Sequence, residues 1–172
     1  MGPSLKSAQL LKIALGATAL SVVYGICHDL ITAQVCLEYF TLYHPHLVDS
    51  QSPVVMALLW GVIATWWFGL IGGIATGVVA TRGAGPPIPA RRALLMIAKM
   101  MVVCFALAML ALLVSPLFAT SVPDDFLPSF VAERHIKSAF LSDLAAHNVS
   151  YFSNFVGAVI VCIRIHLLRR TA

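Results

Sequence analysis

The chain has 172 residues, of which 60% are hydrophobic and 10% charged, with a net charge of +4 and a mean hydropathy of +0.92. So few polar groups cannot cover a soluble globule, which makes the chain an integral membrane protein. The basic residues are divided among three membrane edges and form no stripe with interleaved aromatics, so a nucleic-acid partner is excluded.

A bilayer core needs about 20 apolar residues per helix. Four stretches meet that length: about Ala8 to Cys27, Pro53 to Ala80, Arg92 to Ala119 and Ser150 to Leu168. They predict an all-α integral membrane protein, a single four-helix transmembrane domain over residues 1–172. Lys6 and Lys12 precede the first span, Arg82, Arg91 and Arg92 lie between the second and third, and Arg164, Arg169 and Arg170 close the fourth. Cytoplasmic loops retain Lys and Arg, so both termini are expected in the cytoplasm. The first apolar run ends in Tyr24-Gly25-Ile26-Cys27 without a small-x-small cleavage site, which favours a retained helix over a cleaved leader.

The first span has enough apolar sequence beyond it to reach about Thr32, which would place His28 and Asp29 just inside the outer leaflet. Ionisable groups at that depth face a partner or a wet cavity. Tyr39, Phe40 and Tyr43 suit the headgroup belt. In the second span every fourth residue is small: Ala57, Gly61, Thr65, Gly69, Gly73 and Gly77. Such a stripe admits a second backbone at close range, so Gly61, Gly69, Gly73 and Gly77 are the expected packing positions. Gly83-Ala84-Gly85-Pro86-Pro87 is the cytoplasmic elbow. From about Ser129 a short amphipathic helix is expected to lie on the outer leaflet before the fourth span, with Glu133 and Lys137 as a solvated pair four residues apart. The cysteines Cys27, Cys36, Cys104 and Cys162 form no C-x-x-C pair, and the spacing of Cys27 and Cys36 specifies no disulfide.

All seven carboxylates and five of the six histidines fall in the two outer segments. Asp143 and His147 are four apart and share a helix face. Imidazoles and carboxylates from two helix ends match the donor set of a divalent metal, zinc or iron. His28, Asp143 and His147 are the candidate metal ligands, and Asp29 and Glu38 the candidate catalytic carboxylates, one of them free to act as general base. For any one histidine the plain alternative is a hydrogen-bonded interface residue, and His44, His46 and His135 rank below His28 and His147 for that reason.

His28-Asp29-Leu30-Ile31-Thr32 followed by Glu38-Tyr39-Phe40-Thr41 resembles the signature of a poorly characterised family of small bacterial multi-span membrane proteins. The resemblance covers about a tenth of the chain. It implies a four-helix protein of the bacterial inner membrane and points to His28, Asp29, Thr32 and Glu38, with no activity attached.

Three function classes follow. The first is a metal-dependent membrane enzyme whose outward-facing His/carboxylate site acts on a lipid-like substrate reached from the bilayer. The second is a small transporter or a proton- or ion-conducting protein, with Asn154 in the fourth span along its path. The third is a non-catalytic subunit that packs in a larger membrane complex or a homo-oligomer.

Overall fold

The computed structural model describes residues 3–83 and 85–171, so Ala84 of the elbow lies outside the described residues. No strand occurs among them. Four helical rods are each long and apolar enough to cross a membrane: Leu5–Val35, Pro53–Thr81, Ala90–Ser121 and Lys137–Arg170. With four spans the two chain termini and the elbow share one end of the bundle. The opposite end, which carries the two longer connections, is called distal below.

Helix α1 (Pro3–Val35) runs well past Cys27. Nothing between Gly25 and Val35 interrupts a helix, so the backbone continues through His28, Asp29 and Thr32. After it, Tyr39–Tyr43 forms one turn of π-helix. Helix α2 (Pro53–Ile63) begins with the Ser52 hydroxyl accepting from Val55 N, and with Pro53 in the first turn, where its missing N–H costs nothing.

The second rod is broken where the sequence predicts a continuous span. Helix α2 stops at Ile63 and α3 covers Trp66–Thr81. At the break Thr65 Oγ1 donates to the Gly61 carbonyl at 2.5 Å, and Thr65 N turns to Val62 O at 3.3 Å. A threonine hydroxyl bonding back to the carbonyl four residues earlier bends a helix. Helix α4 (Ala90–Val114) passes into a 3-10 segment at Ser115, since Pro116 cannot supply the next helical N–H.

Helix α5 (Ser129–Glu133) is a single turn of the expected interfacial helix. The chain then reverses at His135, a non-glycine residue with φ of 54°, and α6 (Lys137–Arg170) runs 34 residues without a break. Asp143 and His147 therefore lie within the fourth spanning helix and not on a surface helix preceding Ser150, because neither proline nor glycine occurs between Lys137 and Gly157. The reversal also separates Glu133 from Lys137. Lys137 Nζ instead bonds Asp124 Oδ1 at 2.7 Å and the Val122 carbonyl at 2.6 Å.

Helix α1 is the hub, packed against α2, α3, α4 and α6. The small stripe lies directly on it. A Cβ built on Gly61 would stand 2.6 Å from Ile26 N, one on Gly69 2.6 Å from the Ser21 side chain, and one on Gly73 2.8 Å from Ala14 Cα. Gly77 packs against Leu10. Hydrophobic contraction does not drive helices together in lipid, so such close backbone packing is what holds the bundle.

Two apolar clusters bracket a polar middle. Ile13, Ala17, Ala80, Ile97 and Ile165 form the one nearer the termini, and Cys36, Tyr39, Phe40, Trp60, Val131 and Phe140 form the distal one. The elbow is clasped by Arg169, only 4% exposed, whose guanidinium donates to the carbonyls of Val79, Arg82, Gly83, Gly85 and Pro86. Several of these carbonyls end α3, where the helix dipole is negative, so the cation needs no carboxylate. The four cysteines are all free.

Neighbouring glycines should respond oppositely to a methyl group. Gly73→Ala pushes into the α1 backbone and should cost about 1–3 kcal/mol, whereas Gly72→Ala meets nothing within 4 Å and should be neutral or stabilise by up to about 1 kcal/mol. Unfolding of the two variants in mild detergent checks this; equal stabilities would remove the packing role of the stripe.

Candidate metal centre

His28 and Asp29 stand on α1, Asp143 and His147 on α6, and all four are buried, at 2%, 5%, 0% and 4% exposure. One ligand atom from each of His28, Asp29 and His147 lies within 4.8 Å of the others. His28 Nδ1 meets Asp29 Oδ1 at 3.0 Å, and His147 Nε2 faces the same oxygen at 3.5 Å. The imidazoles meet edge to face with centroids 4.7 Å apart.

Hydrogen-bond inventory determines what these contacts require. His147 Nδ1 is 2.9 Å from the Asp143 carbonyl, which can only accept, so Nδ1 carries a proton. A neutral His147 then presents the lone pair of Nε2 to a carboxylate oxygen, acceptor against acceptor. His28 donates through Nδ1 to Asp29, which leaves its Nε2 as a second lone pair, and that atom is buried with no hydrogen-bond partner. Asp29 thus accepts from His28 Nδ1–H on one side and faces the lone pair of His147 Nε2 on the other, and that second contact is completed by a cation or by an extra proton on His147.

Neither carboxylate oxygen of Asp143 has a hydrogen-bond partner among the described residues. Its Oδ1 is 3.8 Å from His147 Nδ1, so it adjoins the triad without being one of its three closest donors. The Thr32 side chain interacts with it, but the Thr32 hydroxyl also reaches the His28 carbonyl at 3.3 Å. Glu38 is not drawn in. Its Oε1 lies 3.6 Å from Arg134 Nη1 and its Oε2 3.9 Å from Cys36 Sγ, at the partly exposed rim of the distal end.

Aromatic rings enclose the cluster. Tyr39 lies 4.5 Å from His147 and Phe40 5.6 Å, centroid to centroid. Of the three residues expected in the headgroup belt only Tyr43 is exposed; Tyr39 and Phe40 turn inward, because the π-turn carries them over α6. Burial keeps the Tyr39 phenol protonated. Burial also raises the Cys36 thiol to about 11, which makes it a poor nucleophile. His44 donates Nδ1–H to the Tyr39 carbonyl at 2.7 Å and lies against Trp60 at 4.6 Å, so it braces this cap from behind. The site is thus sealed at the distal end by carbon.

On the other side of the cluster lies a cavity of about 330 Å³. Tyr24 forms part of its wall and stacks on His28 at 6.1 Å, with its hydroxyl 2.8 Å from Ser150 Oγ. Ala64 and Thr65 of the break line it as well, together with Trp67, Phe68, Met101, Tyr151 and Asn154. Sequence reasoning reached His28, Asp29, His147 and Asp143 as ionisable residues in apolar surroundings. It missed Tyr24, Tyr39 and Tyr151, for which the only available signal was helical spacing: Tyr24 is one turn before His28, and Tyr151 one turn after His147.

No protein-family model matches the chain, and neither does any curated protein or solved structure.

Nitrogen-15 spectra of histidine-labelled, chelator-treated protein should show His147 protonated at Nδ1; an unprotonated Nδ1 would refute the hydrogen-bond assignment. The cap predicts a pH dependence of its own. Burial holds His44 below the ordinary histidine value of about 6.5, so the unfolded chain binds the proton more readily and stability falls as pH drops below that value. His44→Gln should reduce the loss of melting temperature between about pH 7.5 and pH 5.5, and an unchanged loss would exclude His44 as its source.

Proposed function

We propose that the protein is a metal-dependent membrane enzyme acting on a lipid-like substrate, with His28, Asp29 and His147 as ligands of a divalent cation, zinc or iron. The observation that carries this reading is the convergence of His28, Asp29 and His147, each offering a ligand atom within 4.8 Å of the others in a buried site, with His147 Nε2 turned toward Asp29 Oδ1. Two imidazoles and one carboxylate are a donor set used for catalytic zinc and for non-haem iron, and they leave positions open for substrate or water. A cation held there polarises a carbonyl or activates water.

The chain's own residues supply the remainder. The Asp143 carbonyl fixes the His147 ring, as the partners of metal-bound imidazoles do. Asp143, buried with its side chain beside His147, is the ionisable group adjacent to the triad. Glu38, held between Arg134 and Cys36, does not adjoin it. We further propose a bacterial inner-membrane location with both termini cytoplasmic, so that the distal cap faces outward.

Conduction is the less supported reading, since the polar layer gives way to the apolar cluster of Ile13, Ala80, Ile97 and Ile165 toward the termini. A hydrated path across the membrane needs polar or charged lining there.

Elemental analysis of protein purified without a histidine tag or chelator should find near-stoichiometric zinc or iron. His28→Ala and His147→Ala should each lose it, whereas Glu38→Gln retains it. Asp143→Asn should keep the metal while losing turnover. Well-folded native protein that takes up no metal even after resupply would sink this reading.

A further inference from the structure

The cavity beside the cluster is built for a ligand of definite chemistry. We propose that it binds an uncharged single-chain lipid alcohol and that this is the substrate class of the site; the second clause rests on the enzyme reading above, the first does not.

Position comes first. Ser21 and Tyr24 precede His28 by seven and four residues, which on an α-helix is about 10 Å and about 6 Å. Ser150 and Asn154 lie correspondingly deeper on α6 than His147. The chamber is therefore next to the cluster on its inner side, with Tyr24 contacting both. Tyr151 also bridges, lining the chamber while its ring stands 6.2 Å from His147. The distal cap closes the route from water, and the mouth lies among Trp67 and Tyr151, which are 48% and 47% exposed on the lipid-facing surface. A ligand thus enters sideways from the bilayer.

Size and charge narrow the class. About 330 Å³ gives room for a hydrocarbon chain segment entering from the bilayer. None of the lining residues is charged. A phosphate head would therefore find no cation in the lining to receive it.

Hydrogen bonding then indicates the head. Asn154 and Ser21 are 6% and 3% exposed and both line the chamber, yet Asn154 Oδ1 and Ser21 Oγ have no hydrogen-bond partner. Asn154 Nδ2 donates to the Ser150 carbonyl at 2.9 Å and the side chain also adjoins the Tyr24 hydroxyl, while Oδ1 is an acceptor without a bonded donor. A hydroxyl supplies that donor without bringing charge, and Trp67, Phe68 and Met101 provide the surface for the chain behind it.

The test uses the full chain in phospholipid vesicles with a diazirine-bearing long-chain alcohol as probe and cross-links mapped by mass spectrometry. Saturable labelling at Trp67, Phe68, Met101 or Tyr151, displaced by unlabelled alcohol and not by the alkyl phosphate of equal length, is expected. Ala64→Trp, which crowds the chamber, should abolish it. Asn154→Leu should weaken competition about tenfold, the loss of one hydrogen bond. Melting curves of both variants establish that they fold. Labelling scattered over Leu110, Phe152 and Phe155, or indifferent to competitor and to Ala64→Trp, would overturn the proposal, as would equal competition by the alkyl phosphate. His28→Ala, run alongside, separates the two readings: competed labelling in protein that takes up no metal keeps the lipid site and removes the metal, and a bound metal with uncompeted labelling does the reverse.

Discussion

Helix α1 approaches the α2 backbone most closely where Gly25 faces the Gly61 carbonyl, a contact that excludes any side chain at either position. The positions of the functional groups follow from that contact. One turn beyond Gly25, α1 presents His28 and Asp29. One turn beyond Gly61, the helix breaks at Ala64 and Thr65, and the break lines the chamber. The same small residues that let the backbones touch therefore set the spacing between an ionisable cluster and an apolar cavity. Packing of this kind depends on shape alone, so it can hold a polar site in lipid without polar cross-links between α1 and the broken rod.

The second organising constraint is electrostatic. Asp29 is buried with no lysine or arginine beside it, and its neighbours are imidazoles whose remaining nitrogens are lone pairs. Arg134 and Lys137, the basic residues of the distal end, are engaged with Glu38 and Asp124 at the rim. Arg169 is engaged with backbone carbonyls at the other end. These basic groups are thus engaged away from the cluster, and Asp29 is left with imidazoles as its charged or chargeable neighbours. Removing a charge from water costs several kcal/mol unless it is paired, so the contacts of Asp29 with the two imidazoles carry the electrostatics of the buried layer.

The four spans were legible because lipid demands runs of about 20 apolar residues, a signal that needs no knowledge of tertiary contacts. His28, Asp29 and His147 were legible for the same reason in reverse, as ionisable groups where apolar ones are expected. The small stripe was visible in its period of four, and the α1 face that it meets repeats at the same spacing through Ala17, Ser21 and Gly25. What could not be read depended on contacts distant in sequence. The inward turn of Tyr39 and Phe40 follows from the π-turn packing on α6, and the capture of Glu38 by Arg134 joins two loops almost a hundred residues apart. The uninterrupted passage of α6 from Lys137 was readable in principle from the absence of proline and glycine. Polar residues there argued for a surface helix, and burial against α1 overrode that pattern.

Enclosure then determines what kind of chemistry the site can serve. Tyr39, Phe40, Val131 and Phe140 pack across the distal end, and a second apolar cluster lies toward the termini. The chamber between α1, the broken rod and α6 is the one large opening described next to it, and its mouth faces hydrocarbon. A reactant dissolved in water would have to cross the cap, losing its hydration without compensation. A reactant dissolved in the bilayer has already lost that hydration. The same burial that makes the cluster costly to assemble therefore accords with the proposed lipid-borne ligand, and it raises the strength of every charge interaction within the site by excluding water from it.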